Sequence, residues 1–135
     1  MTAIIFSMLA LLSAGQAKVT VQNAWIRPAG KEMNSAMYFD IVNNSDKPDT
    51  LFKAASSTAE LVQIHETFNK DGLMGMREVK YVVVPAHSTL SFKPGGYHVM
   101  FIKLKRDFKV KTKIDAYLFF KSSGKIKIKP LVKLQ

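Results

Sequence analysis

Lys121-Ser122-Ser123-Gly124-Lys125-Ile126-Lys127-Ile128-Lys129 is the stretch on which the fold turns. Lys125, Lys127 and Lys129 alternate with Ile126 and Ile128, so a strand here has one wet face and one buried face. Ser122-Ser123-Gly124 is turn chemistry, and residues 111–121 and 125–132 are expected to close on each other as a hairpin. The same alternation recurs toward the N-terminus in short runs: 18–26, 36–42, 51–55, 60–68, 73–84, 89–92 and 97–104. Turn formers separate them, among them Pro28, Asn43-Asn44-Ser45-Asp46-Lys47-Pro48, Pro85 and Pro94-Gly95-Gly96. No run carries helical spacing, and breaks come every eight to twelve residues, so the expected class is all-β, a sandwich or barrel of short strands.

The first residues stand apart from this pattern. Residues 3–12 are apolar except for Ser7 and lead into Ser13-Ala14-Gly15-Gln16-Ala17. A run of ten is half of what a bilayer-spanning helix needs. Gly15 and Ala17 suit the −3 and −1 positions of a secretory cleavage site, although no Lys or Arg precedes the run. Residues 1–17 are therefore read as a signal peptide, and residues 18–135 as one exported domain of 118 residues.

The 135-residue chain has no cysteine, which removes a disulfide framework, a thiolate metal site and a blue-copper centre. Its net charge of +10 is uneven: residues 1–100 carry a balance of +1, and residues 101–135 a balance of +9. An exported protein does not ordinarily meet nucleic acid. The basic end is expected to meet an acidic protein face or an anionic membrane, against the plainer reading of a solvated surface that keeps edge strands apart. No nucleophile elbow, P-loop or dinucleotide fingerprint is present, so no catalytic residue is assigned.

The chemistry lies in four neutral side chains. His98 and Met100 are i and i+2 on one strand, so imidazole and thioether point to the same face. His65 and Met76 flank a hairpin tip at Asn69-Lys70-Asp71-Gly72. A four-residue loop at 69–72 sets His65 directly opposite Met76. A three-residue loop with a bulge at Gly72 would set Arg77 there and turn Met76 away, unless Gly75 adds a second irregularity. Cu(I) is soft and prefers thioether and imidazole to carboxylate, and four neutral donors leave only one positive charge to bury. Taken singly, each residue has a plainer reading, because Met commonly fills cores and His commonly sits hydrogen-bonded on a rim. His87 is assigned to a turn and Met33 and Met37 to loop or core; Met74 and Glu66, beside the motif, are candidate auxiliary ligands set against the favoured reading of packing and surface charge.

The spacing His65-x10-Met76-x21-His98-x-Met100 resembles the signature of the periplasmic Cu(A) chaperone family, PCu(A)C. Ala24-Trp25-Ile26-Arg27, Gly75-Met76-Arg77, Val84-Pro85-Ala86, Lys93-Pro94-Gly95-Gly96-Tyr97-His98-Val99-Met100 and Leu104-Lys105 are similar to family segments, so the likeness runs through nearly all of the mature chain. One departure is that Glu66 and Thr67 follow His65, where some members have an extra Met. The resemblance implies a cupredoxin-like Greek-key β-sandwich in the periplasm, binding one Cu(I) through His65, Met76, His98 and Met100. It implies a carrier, not an enzyme, that delivers copper to the Cu(A) site of cytochrome c oxidase subunit II, often beside a Sco-type protein; the chain itself is expected to be a monomer. A secreted copper enzyme and a metal-free envelope-binding sandwich are the competing classes.

Overall fold

The structure, a computed structural model, describes residues 19–135, so the expected signal segment 1–17 lies outside the described residues. The chain runs through β1 (Val19–Ile26), β2 (Ser35–Asn43), β3 (Asp49–Ala55), β4 (Ala59–Lys70), β5 (Leu73–Glu78) and β6 (Val82–Val84). It continues through β7 (Ser88–Phe92), β8 (Tyr97–Leu104), β9 (Ala116–Phe120), β10 (Gly124–Ile128) and β11 (Leu131–Val132). No α-helix occurs among the described residues, as the period of two predicts. One sheet has the order β11-β1-β2-β8-β4-β5, with β7 also on β2, and the other has β10-β9-β3-β6. Along β2, Ser35 to Met37 pairs with β8 and Phe39 to Asn43 pairs with β7.

The core lies between the sheets. Phe39, Ile41, Val99 and Phe101 point inward from the larger sheet, and Leu51, Leu118 and Phe120 point inward from the smaller. Phe108 and Ile114, from the segment after β8, join the same cluster. Alternation then sends the intervening residues, including Tyr38, His98 and Met100, to the outer face of the larger sheet.

Three expected strands are corrected. Residues 73–84 do not form one strand: β5 belongs to the larger sheet and β6 to the smaller, with residues 79–81 crossing between them. Residues 111–121 narrow to β9, because Lys111 has φ 78° and the Thr112 hydroxyl donates to the Lys109 carbonyl at 2.6 Å, closing a turn instead. Residues 125–132 divide at Lys129-Pro130, after which β11 pairs in parallel with β1.

Trp25 departs from the alternation of the first strand. Simple alternation groups it with Val19 and Val21, yet Asn23 has φ 56° and the register shifts between Gln22 and Trp25. That bulge turns Trp25 outward against Tyr38, at 4.8 Å between ring centroids, and gives the core position to Ile26.

The smaller sheet is fastened by Asp49, a buried carboxylate at the start of β3. Burial works to raise its pKa. Hydrogen bonds donated by the Ser123 hydroxyl and by the backbone of Ser122, Thr50 and Ser123, at 2.6–2.9 Å, more than offset that and hold it below the usual value. A depressed carboxyl contributes stability that is present above its unfolded pKa and lost as pH falls through the folded one. Asp49→Ala is expected to cost about 1–3 kcal/mol, because it leaves buried donors unsatisfied. Urea unfolding at neutral pH checks this, and an unchanged midpoint would contradict it.

Candidate metal centre

Gly95, at φ 89°, and Gly96, whose N–H donates to the Lys93 carbonyl at 2.9 Å, turn the chain into β8. Val99 and Phe101 are fully buried on the core side, which fixes His98 and Met100 on the outer side. Antiparallel pairing with β4 sets His65 opposite His98 and Gln63 opposite Met100. Pairing with β2 sets the small Ala36 opposite Met100, which leaves room above the thioether. The two histidine rings lie 5.6 Å apart between centroids.

The hairpin register corrects the expected pairing. Lys70 pairs with Leu73, so the loop is only Asp71-Gly72, with φ 54° and 85°. Positive φ at both central residues matches a type I′ turn, whose twist suits a two-residue hairpin. Met76 therefore faces Thr67, and Glu78 faces His65. The face is preserved, because the shift from expectation is two residues. Met76 and His65 are diagonal neighbours, within reach of a long side chain. Gly75 sits opposite Phe68, whose ring occupies the space a Cβ would need, an aromatic cover for a glycine on an edge strand.

A cavity of about 430 Å³ opens on this face, lined by Met74, Met76, His98, Met100, Tyr38, Arg27 and others. It gathers three of the four expected ligands. His65 is not in its lining; it lies beside His98, on the neighbouring strand β4.

Both histidines present an unpaired nitrogen. His98 is 2% exposed, and its Nε2 has no partner. Its hydrogen bond to the Gly96 backbone favours the protonated ring, so the ring N–H donates to the carbonyl and Nε2 carries a lone pair. His65 Nε2 lies 2.9 Å from Gln63 Oε1, which can only accept, so the proton sits on Nε2. His65 Nδ1 is then the bare nitrogen, buried and unpartnered. A buried lone pair without a donor is costly unless something binds it. Among the described residues no group of three or more His, Cys, Asp or Glu could hold a metal, so a site here must draw on methionine. Imidazole with thioether fits a soft ion such as Cu(I).

Both rings are biased toward the neutral form. Burial pushes the His98 pKa down, the Gly96 hydrogen bond opposes it, and electrostatic repulsion from His65 and Arg27 adds to the depression. Burial also lowers His65, against the pull of Glu78. A depressed histidine binds fewer protons folded than unfolded, so this contribution to stability is present at high pH and lost as pH falls below about 6.5. In the metal-free protein, an NMR titration should show His98 protonating below the ordinary value of 6.5. A titration at or above that value would contradict the geometry.

The remaining candidates fall elsewhere. His87 sits in a turn, its N–H donating to the Ser45 carbonyl at 3.1 Å. Glu66 points to the other face and pairs with Arg77 at 2.8 Å. Met37 is core, and Met33 is an exposed loop residue. Lys125 and Lys127 lie on the outer face of the smaller sheet, across the sandwich from the cavity. Lys125 sits 4.5 Å from the Tyr117 ring, and Lys127 and Lys129 pair with Asp115. Lys103 is closer: its N–H donates to Asn34, a cavity residue, while its ammonium pairs with Glu60 at 3.2 Å. Sequence reasoning did not single out Arg27 or Tyr38, which enter only through strand order. Met74 was legible through the i, i+2 rule applied to Met76.

A sequence model of the family described as "Putative lipoprotein LpqE-like" matches residues 19–132. The chain is 38% identical over 103 residues to "Putative lipoprotein Lxx21020" of Leifsonia xyli subsp. xyli, covering 76% of this chain and 61% of that protein. It spans less than two thirds of the length of the curated relatives it matches. Its structure is similar to Cu(I)-bound DR1885 from Deinococcus radiodurans, with a TM-score of 0.70 and 30% identity over 93% of this chain and 85% of that one. The copper-bound PCuAC domain of PmoF2 has a TM-score of 0.74 over 89% of this chain and 96% of that one; at 24% identity it speaks for the fold alone. The chain belongs to the LpqE-like family and has the cupredoxin-like β-sandwich fold of PCuAC domains.

Proposed function

We propose that this protein is a copper carrier, holding one Cu(I) through His98, Met100, Met76 and His65 and passing it to a partner without chemical turnover. The observation that carries the reading is the buried, unpartnered Nε2 of His98 beside a cavity whose other soft donors are thioethers. The likeness to Cu(I)-bound DR1885 supports it. Uncharged donors keep the loaded site at a single positive charge, and burial biases both histidines toward the neutral form that can bind metal. The lipoprotein descriptions of its relatives and the apolar segment at 3–12 support export to the periplasm. By family resemblance the acceptor is the Cu(A) site of cytochrome c oxidase subunit II or a Sco-type protein, met by the monomer.

Arg27 at the cavity and Lys103 beside it favour an acidic face on that acceptor. Transfer should slow as salt rises, and Lys103→Glu with Lys105→Glu should slow it further while Cu(I) affinity stays nearly unchanged. Stopped-flow transfer to an acceptor checks this, and rates indifferent to both changes would reduce the lysines to a solvated surface. The function itself is tested by Cu(I) titration against a competing chelator. One equivalent should bind, and failure to compete at any chelator concentration would overturn the reading.

A further inference from the structure

The four-ligand set leaves one thioether at the cavity unexplained. Met74 and Met76 are i and i+2 on β5, facing Asn69 and Thr67, so they project from the same side of the hairpin. Both line the cavity with His98 and Met100. Met74 is not packing the core: it is 66% exposed, and Leu73 beside it is 74% exposed. The soft donors thus form a gradient from His98, buried, through Met100, half-buried, to Met76 and Met74 at the solvent side. β5 is an edge strand, bonded to β4 alone, so its side chains sit where an approaching molecule meets the cavity first.

We infer that Met74 is an exchange ligand, a thioether that binds Cu(I) transiently as the ion enters or leaves and is not one of the resting ligands. The inference rests on the copper-carrier reading. An ion held by several donors leaves fastest when a new donor bonds before an old one lets go, because no poorly coordinated intermediate then has to form. The Met74 sulfur can supply that bond on the outer side while His98 keeps hold on the inner side. The exchange moves no electrons and no protons: one neutral Cu–S bond forms, one neutral bond to a resting ligand breaks, and copper remains Cu(I). Methionine suits the step because its unbranched side chain and polarizable sulfur adapt to more than one position.

The test separates rate from affinity. Met74→Leu keeps the apolar volume and removes the sulfur. Cu(I) affinity, measured by competition at equilibrium, should stay within about threefold of wild type, while release to excess chelator should slow by about tenfold. Met76→Leu should instead weaken the equilibrium affinity. With Ag(I) as a redox-stable probe, the Met74 methyl NMR signal should broaden at substoichiometric metal, and the Met100 methyl should move to a new, separate position. Wild-type release rates in Met74→Leu would overturn the inference, as would an affinity loss beyond about tenfold, which would make Met74 a resting ligand. Absence of Cu(I) binding by the wild-type protein would be a different failure, that of the carrier reading itself.

Discussion

Replacing His98 and Met100 together with alanine is expected to lower Cu(I) affinity by at least about 100-fold, more than the loss of an outer-shell partner usually costs. The two side chains share one face of β8 and supply the deepest imidazole and the deepest thioether of the cavity. Without them only Met76 and Met74 remain at the cavity, with the half-buried His65 outside its lining on β4. The same change should disturb the metal-free fold little. It removes a buried nitrogen that has no hydrogen-bond partner, and that relief opposes the loss of packing against Tyr38. Chelator competition reads the first effect and thermal unfolding of the metal-free protein reads the second. Retained affinity in the double variant would remove β8 from the site.

Phe101→Ala should do the reverse. Phe101 is one residue beyond Met100 but on the core face, fully buried, with its ring 6.1 Å edge-on from Phe108. Truncation of such a ring costs about 3–5 kcal/mol, set against a usual total of 5–15 kcal/mol for a domain. The melting temperature should fall by about 10–20 °C. Copper affinity measured well below the transition should stay near wild type, because the outer face of β8 keeps its ligands. A melting temperature unchanged by Phe101→Ala would mean that β8 is turned over, and every assignment on its outer face would turn with it.

Much of this was readable in the chain because strand side chains alternate with a fixed period. β8 falls on its expected residues, and His98 and Met100 share a face because they are two apart. The hairpin was harder. Asn69 and Lys70 look like loop residues because they are polar, yet they are paired strand residues on an edge hairpin, where water reaches them. The turn is set by positive φ at Asp71 and Gly72 and not by polarity. The bulge at Asn23 was hidden for a similar reason: one left-handed residue exchanges the two faces for everything after it and leaves no mark on hydrophobicity. Tyr38 and Arg27 could not be placed at the site from local pattern at all. They reach it because β2 pairs with β8, a contact between distant segments that the run of polar and apolar residues does not encode. The basic end was the least legible. Alternation correctly gave Lys125 and Lys127 an exposed face, but only the sheet order shows that this face lies across the sandwich from the cavity.

X-ray absorption at the copper edge of the Cu(I)-loaded protein tests the central claim most directly. The account predicts a first shell with both sulfur and imidazole nitrogen, the sulfur part diminishing in Met100→Ala and the nitrogen part in His98→Ala. A first shell of nitrogen and oxygen without sulfur would contradict it.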